Sequence, residues 1–484
     1  MKVVDKDSKG ITFSKKENFS QWFSEVVQKA ELGDLRYNVK GFLVFQPWSV
    51  LAMEKMYAQF ERVLQRKGHL PYFFPTLIPE ENFAKEAGHV EGFTPEVFWV
   101  TQGGETKFNE KLALRPTSET AFYQMFALWI RSYNDLPFKT YQRANVFRYE
   151  TKATRPFLRS REFHWIETHC AFATEQDAMK QVEEDMETTK EVLQDVFGLP
   201  FIFFERPQWD TFPGAKKTFA ADVLNPDGRV VQQPSTHMIK QDFARAFDIR
   251  FKDKDGKDKF VYTTCYGPAI SRIFASVVIM HGDDKGLRFP WEIAPRHVAI
   301  VPIDGSNELV EKAQEINKKI ESFAEAFVDL SKKSAGEKFN YWEMKGVPVR
   351  IDIGKKEMSE KKLSVFRRDL NRKEVIAEKD LIKYLETVKK ESGENLRKEA
   401  DKLFKNRIVD VSSVEEMKNA IDSGNIVRCN FCSIEREGEK CAEIIEKEVG
   451  AKVRGANLKN ESSKGRCVVC GKKASKVVYI ARDY

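Results

Sequence analysis

The segment YQRANVFRYETKATRPFLRSREFHWIETHCAFA, residues 141–173, constrains the fold more than any other stretch of the chain. It reads as two strands joined by a turn over Thr151 to Phe157. Side chains alternate with period two, so Val146, Arg148 and Glu150 share one face of the first strand, and Phe163, Trp165, Glu167 and His169 share one face of the second. A sheet face carrying arginines, carboxylates, a histidine and aromatics makes a poor hydrophobic core. It suits the floor of a site for a nucleotide and a small cationic substrate, because guanidinium forks match phosphate oxygens and aromatic planes stack on bases. Taken alone, the same alternation also fits a half-solvated sheet, with His169 a structural histidine.

The rest of the chain supplies room for several cores. At 484 residues, and about 150 residues per domain, three domains are expected. Phe23, Val26, Val27 and Ala30 recur at helical spacing, as do apolar residues from Tyr57 to Leu64, before GHLPYFFPTLIP turns to short runs broken by Pro and Gly. Residues 1–290 read as one large mixed domain. From Pro295 the texture changes. HVAIVPI is strand-like, Leu309, Ala313, Ile316, Ile320, Phe323 and Phe327 form a helical stripe, and Val347, Val349, Ile351 and Ile353 alternate as a strand. An α/β domain over 295–390 follows, then a Lys/Glu-rich helical stretch around 388–405 and a cysteine-bearing tail over 400–484.

With 42% hydrophobic and 32% charged residues, the composition is that of a globular chain rather than a disordered one. Apolar stretches such as Phe274 to Met280 fall short of the ~18 residues of a spanning helix. The start, MKVVDKDSKG, lacks the apolar core of a secretory signal, so a cytoplasmic protein with no membrane association is expected. A net charge of 80 − 73 = +7 permits a polyanionic partner without demonstrating one. In a reducing compartment, Cys429, Cys432, Cys441, Cys467 and Cys470 read as a metal site before they read as disulfides. Spacing alone offers two CxxC pairs, Cys429/Cys432 and Cys467/Cys470, with Cys441 spare.

Three further motifs accompany the hairpin: RPTSE at Arg115 to Glu119, QQPSTH at Gln232 to His237, and CYGPAISR ending at Arg272, followed by HGDDKGLRFPWEIAP. Together they resemble the class II aminoacyl-tRNA synthetases, and within them the prolyl-tRNA synthetases of archaeal and eukaryotic type. GHLPYFFPTLIP with Pro75 is similar to the first class motif, FRYE with its arginine-bearing loop and REF to the second, and the segment around Arg272 to the third. The resemblance runs in order over nearly the whole chain. It implies an α+β fold: a class II antiparallel-sheet catalytic domain (1–290), an α/β anticodon-binding domain (295–390) and a small zinc-binding α+β C-terminal domain (400–484). It also implies ATP-dependent activation of L-proline and transfer to tRNA(Pro), by a homodimer formed through the first motif.

The resemblance further implies roles for particular residues. Arg148 would hold the ATP α-phosphate and the substrate carboxylate, and Arg159 the distal phosphates. Phe163 and Arg272 would sandwich the adenine, with Glu150, Gln232 and Ser235 completing the ATP site. Proline would sit among Thr117, Glu119, Arg148, Trp165, Glu167, His169 and His237. A saturated ring suits an aromatic slot such as Trp165 lines, and a secondary ammonium suits Glu119 or Thr117. Glu167 and His169 could also simply brace the sheet. Where the family usually shows Thr-Ser-His, this chain has Ser235, Thr236 and His237, with Lys240 where a glycine is common. Mg²⁺ is expected to accompany ATP, since triphosphate charge needs more than side chains to neutralise it.

FNYWEMKGVPVRIDIGKKE resembles the anticodon-reading segment, with Phe339, Glu343, Arg350 and Lys356 at positions that meet the guanines of proline anticodons. DLSKKSAGEKF replaces the family's acidic pattern just before it. In the tail the family register implies Cys432, Cys441, Cys467 and Cys470 as Zn²⁺ ligands and Cys429 as the spare, opposite to spacing alone. Only about a hundred residues separate the second and third motifs, so no inserted editing domain is expected there, and some alanine activation follows, because a slot rejects a missing methylene by only ~1–3 kcal/mol. Two rival readings are an RNA-binding synthetase relative without catalysis, disfavoured by the presence of Arg148, Glu150, Arg159 and Arg272, and a synthetase for another amino acid, disfavoured by Trp165 and His169.

Overall fold

The computed structural model describes residues 10–85, 97–151, 153–212, 214–239, 241–459 and 461–484; Lys240 lies outside them. The strands Phe138–Phe147 and Glu162–Phe172 pair antiparallel, with Val146 opposite Phe163, Ala144 opposite Trp165, Gln142 opposite Glu167 and Thr140 opposite His169. The first strand ends earlier than its alternation predicts. After Phe147 one more bond, from the Arg148 amide to the Arg161 carbonyl (2.9 Å), prolongs the ladder, and Arg148 and Glu150 then sit in an irregular loop that replaces the short turn expected at Thr151 to Phe157.

This hairpin belongs to an eleven-stranded sheet among the described residues. From the hairpin the sheet continues through Tyr262–Gly267, Arg229–Ile239, Ala215–Leu224 and Ile202–Glu205, and Leu70–Pro71 forms its edge on the other side. Beyond Ile202–Glu205 the C-terminal strands Lys452–Asn457, Lys476–Asp483, Ile426–Phe431 and Ile408–Asp410 extend the same sheet. The tail is therefore continuous with the sheet of the hairpin, and Phe204, Leu224 and Val230 share a core with Phe404, Ile426, Tyr479 and Ala481.

Helices Pro47–Arg66, Glu175–Thr189 and Ile270–His281 cover the back of the sheet. Pro47–Arg66 presents Met53, Met56 and Phe60, and Ile270–His281 presents Ile273, Phe274 and Val277, to one core with Phe157, Ile166 and Tyr266. Each fully buried side chain of this size stabilises the fold by about 1.5–3 kcal/mol, so Arg272 rides on a helix fixed by its apolar neighbours.

The next unit is a five-stranded sheet, ordered Ala326–Val328, Val298–Pro302, Val349–Ile353, Lys362–Arg367, Arg372–Ala377, the first three parallel. The helix Asn307–Ile320 buries Leu309, Ala313, Ile316 and Ile320 as its stripe predicts. Phe327 departs from that stripe. The helix stops at Ile320, and Phe327 falls in the strand Ala326–Val328, where it packs on Trp342. The unit docks on the preceding region through Arg368, buried and bonded to Asp283 (2.5 Å), and through the Leu287 amide to the Met344 carbonyl (3.0 Å). The charged stretch after Asp380 forms the helix Leu381–Lys405. Among the described residues no helix is long and apolar enough to cross a membrane.

Candidate active site

Two cavities meet on the open face of the hairpin. One, of about 250 Å³, is lined by Glu119, Trp165, Glu167, His169, Gln232, Ser235 and His237 among others; the second, of about 230 Å³, is lined by Glu150, Arg159, Ser160 and Ser271. Arg148, Phe163 and Arg272 line both. Residues separated by more than a hundred positions in the chain thus form one bipartite site.

The second cavity is cationic. Arg148 donates from Nε to the Pro116 carbonyl (3.1 Å) and lies over the rings of Phe163 and Trp165. Arg159 pairs with Glu150 at 3.4 Å and donates to the carbonyl of the final residue, Tyr484 (2.7 Å). Arg272 donates to the Gln232 carbonyl (3.2 Å). Burial, reinforced by the charges of Arg148 and Arg159, pushes the Arg272 guanidinium down to about 10, against the opposing pull of Glu150. Three arginines facing one carboxylate in a shared hollow favour a polyanionic ligand.

The first cavity is built differently. Glu119 opens the helix Glu119–Trp129, and the Glu167 carboxylate caps that helix, accepting from the Ser118 amide (3.0 Å) and from Gln142 Nε2 (3.0 Å). Thr117 Oγ1 lies 3.0 Å from Glu167 and also contacts Glu119. Thr117 does not line the cavity, and the bonds of Glu167 are those of a brace. Trp165 lies against the backbone of Gly267, where an added Cβ would come within 2.5 Å of the indole; only glycine allows the ring to lie flat on that strand. His169 packs on Phe122 (4.3 Å), and its two ring nitrogens have no partner among the described residues. His237 is held between Thr218 Oγ1 (2.9 Å) and Ser235 Oγ (3.0 Å), and burial lowers its imidazole to about 4. It is uncharged at neutral pH. The Ser235 hydroxyl is thereby engaged with His237.

Sequence reasoning missed Arg206, Asp210 and Phe212, which also line this cavity, and Tyr484, whose ring lies beneath the Arg155 guanidinium and whose hydroxyl donates to Asp227 (2.6 Å). A charge inside an apolar run, as in FIFFERPQW, was the available signal for Arg206; a chain terminus folding back carries none.

In the second sheet Phe339, Glu343 and Arg350 come together. The Arg350 guanidinium sits 4.0 Å from the Phe339 ring, donates to Glu343 (2.7 Å) and to Asp352 (2.7 Å), and is buried. Lys356 is exposed on the helix Lys355–Ser359 and does not join that bonded trio. In the tail, the ligand atoms of Cys432, Cys441, Cys467 and Cys470 lie within 4.8 Å of one another, while Cys429 is buried in the core beside them and is not part of the group. The 3.7 Å between the sulfurs of Cys432 and Cys441 matches the ~3.8 Å edge of a tetrahedron with ~2.3 Å zinc–sulfur bonds. The four thiols fit zinc, in the register that leaves Cys429 out.

Comparison with known proteins agrees with this geometry. A class II tRNA synthetase core domain of the G, H, P, S and T group matches residues 98–281, an anticodon binding domain 297–388, and a prolyl-tRNA synthetase C-terminal domain 414–484. The fold is that of a class II aminoacyl-tRNA synthetase. The proline–tRNA ligase of Thermofilum pendens is 48% identical over 98% of this chain and 99% of the relative, and that of Methanopyrus kandleri 42% over 96% of each. The structure of Giardia lamblia prolyl-tRNA synthetase in complex with prolyl-adenylate superposes with a TM-score of 0.94 at 34% identity, over 98% of this chain and 100% of that one. The chain belongs to the proline–tRNA ligase family, archaeal/eukaryotic type, and its activity is the aminoacylation of tRNA(Pro) through prolyl-adenylate.

Proposed function

We propose that adenylate formation takes place where the two cavities meet, with Arg148 as the shared wall. Its guanidinium lines both, so it can bind the proline carboxylate and the ATP α-phosphate together, and this is the observation that carries the assignment. The carboxylate oxygen attacks the α-phosphorus, the bond to the β-phosphate oxygen breaks, and pyrophosphate leaves; the prolyl group then passes to the terminal adenosine of tRNA(Pro). Phosphoryl chemistry of this kind needs placement and charge more than a general base, and permanently charged arginines supply both. Arg159 takes the distal phosphates, Phe163 and Arg272 the adenine, and Gln232 and Glu150 the rest of the nucleotide. Ser235 acts through His237. Trp165 and His169 enclose the proline ring, Glu119 accepts from its ammonium, and Thr117 and Glu167 hold Glu119 in place.

Among the described residues Glu150 is the one carboxylate that lines the phosphate cavity, and it would be the residue to hold a Mg²⁺ that arrives with ATP and offsets phosphate charge. Cys432, Cys441, Cys467 and Cys470 hold a structural Zn²⁺. Metal content of single variants tests this: Cys429→Ser keeps one zinc per chain, whereas Cys441→Ser weakens it, and the reverse pattern would restore the two-pair reading. Phe339 and Glu343 read the anticodon, the ring by stacking and the carboxylate by accepting from a guanine amine, with Arg350 bracing Glu343 and Lys356 meeting the backbone. We assign the catalytic domain to 1–290, the anticodon-binding domain to 295–390 and the zinc-binding domain to 400–484, and a cytoplasmic location. Leu70, Phe73, Leu128 and Trp129 are exposed around the edge strand Leu70–Pro71, with Tyr72 against Trp129, an apolar surface suited to a two-fold dimer. Proline-dependent ATP–pyrophosphate exchange tests the activation step: no exchange in the folded, metal-replete enzyme would overturn the placement of that step.

A further inference from the structure

The seam between the catalytic sheet and the C-terminal strand Lys452–Asn457 pairs Ala456 with Glu205 and Asn457 with Phe204. Three charged side chains are sealed there: Arg206, Asp222 at 0% exposure, and Arg454. Arg454 grips Asp222 through Nε to Oδ2 (2.6 Å) and Nη2 to Oδ1 (3.2 Å). From the other side Arg206 donates Nη2 to Asp222 Oδ1 (2.6 Å) and Nη1 to the Arg454 carbonyl (2.8 Å). The approach depends on Gly455, at φ +126, where a Cβ would fall 2.2 Å from the Glu205 carbonyl oxygen. Burial opposes the Asp222 charge, yet the two guanidiniums hold its carboxyl below the ordinary range, so the triad stays ionised.

Such a triad is a weak source of stability, since apolar side chains of the same volume often serve as well. What this one adds is an outlet into the site. Arg206 Nη2 also donates to Gln232 Oε1 (3.2 Å), Arg206 lines the first cavity, and the Gln232 carbonyl accepts from Arg272 (3.2 Å). A continuous bonded path therefore runs from the C-terminal strand past the first cavity to Arg272, which lines both cavities.

We propose that Arg454 is a positioning residue for adenylate formation, acting through Asp222 and Arg206 to fix Gln232 and Arg272 where the nucleotide binds. The inference rests on the reading of Gln232 and Arg272 as nucleotide contacts. The nucleotide pocket is complete only when the C-terminal strand is docked, and its arginine is part of what completes it.

Steady-state pyrophosphate exchange on the full-length, zinc-loaded enzyme tests this, with KM for ATP and for proline measured separately. Arg454→Met is expected to raise KM for ATP about tenfold while changing KM for proline less than about twofold. Gln232→Ala should also raise KM for ATP, and the double variant should be within about twofold of Gln232→Ala alone, because both changes act on one contact. An unchanged KM for ATP in Gln232→Ala overturns the nucleotide reading of that residue and the inference with it. A raised value there beside a wild-type value in folded Arg454→Met, or effects that multiply in the double variant, overturns the inference alone. Should Arg454→Met fail to fold, Asp222→Asn keeps the shape and breaks the same path; a wild-type KM for ATP in that variant contradicts the proposal.

Discussion

Arg272, on a helix beside the cavities, and Arg350, buried on a strand of the second sheet, have opposite surroundings. In the second cavity Arg272 stands with Arg148 and Arg159, and Glu150 is the one carboxylate among the described residues that line it. Arg350 is saturated: Asp352 and Glu343 accept from it at 2.7 Å each, and Phe339 covers its face. On the reading proposed above, the difference separates a charge available to a nucleotide from one already neutralised by the fold. Resemblance assigns both to binding, and their partners differ: Arg350 is held by two carboxylates, whereas Arg272 donates to the Gln232 carbonyl.

The same substitution should therefore have opposite consequences at the two places. Arg272→Met is expected to lower kcat/KM for pyrophosphate exchange by about a hundredfold or more, with a melting temperature equal to or above that of the wild type, because a buried like-charge contact is removed. A clear loss of stability in that variant would erase the contrast. Arg350→Met should do the reverse: it leaves Asp352 buried without its main partner and destabilises by about 3 kcal/mol, while exchange by the folded fraction is spared. Chemical denaturation reads the first quantity and exchange normalised to folded enzyme the second.

A smaller effect comes from the histidines. Burial lowers His69, His237, His281 and His297 each to about 4. The unfolded chain protonates them near 6.5, so it binds more protons than the folded chain between pH 6.5 and 4, and stability falls as pH falls through that window, by up to about 1.4 kcal/mol per unit for each group. Asp185, pushed up to about 7 by burial, works in the opposite sense and offsets one of them. Three of the four sit in the catalytic region, so acid should loosen that region before the anticodon-binding sheet. Melting curves from pH 7 to pH 4.5 followed by hydrogen exchange would show the order, and equal loss in both regions would remove this part of the contrast.

The hairpin register was legible because alternation fixes which residues share a face, and Phe163, Trp165, Glu167 and His169 lie as that rule requires. Its end was not, since Arg148 and Glu150 leave the ladder where hydrogen bonding, not side-chain pattern, decides. Phe327 shows the same limit: it falls four residues after Phe323 in sequence, as a helical stripe would, but the backbone has already turned. Among the cysteines, residue types and spacing left two registers open, and the fold of the tail brings together the set without Cys429. The pairing of Ala456 with Glu205 joins residues far apart in the chain, and nothing local marks it.

The most direct test sets Arg148→Ala beside Glu343→Ala in two assays on the same preparations, proline-dependent pyrophosphate exchange and charging of tRNA(Pro). Arg148→Ala should fold normally and lose both reactions, by about a thousandfold, because the contact it removes belongs to the transition state of activation. Glu343→Ala should retain wild-type exchange and lose about tenfold or more in charging efficiency, since only the second reaction needs the anticodon. Near-normal exchange in folded Arg148→Ala, or an equal loss of both reactions in Glu343→Ala, would contradict the division of labour between the two regions.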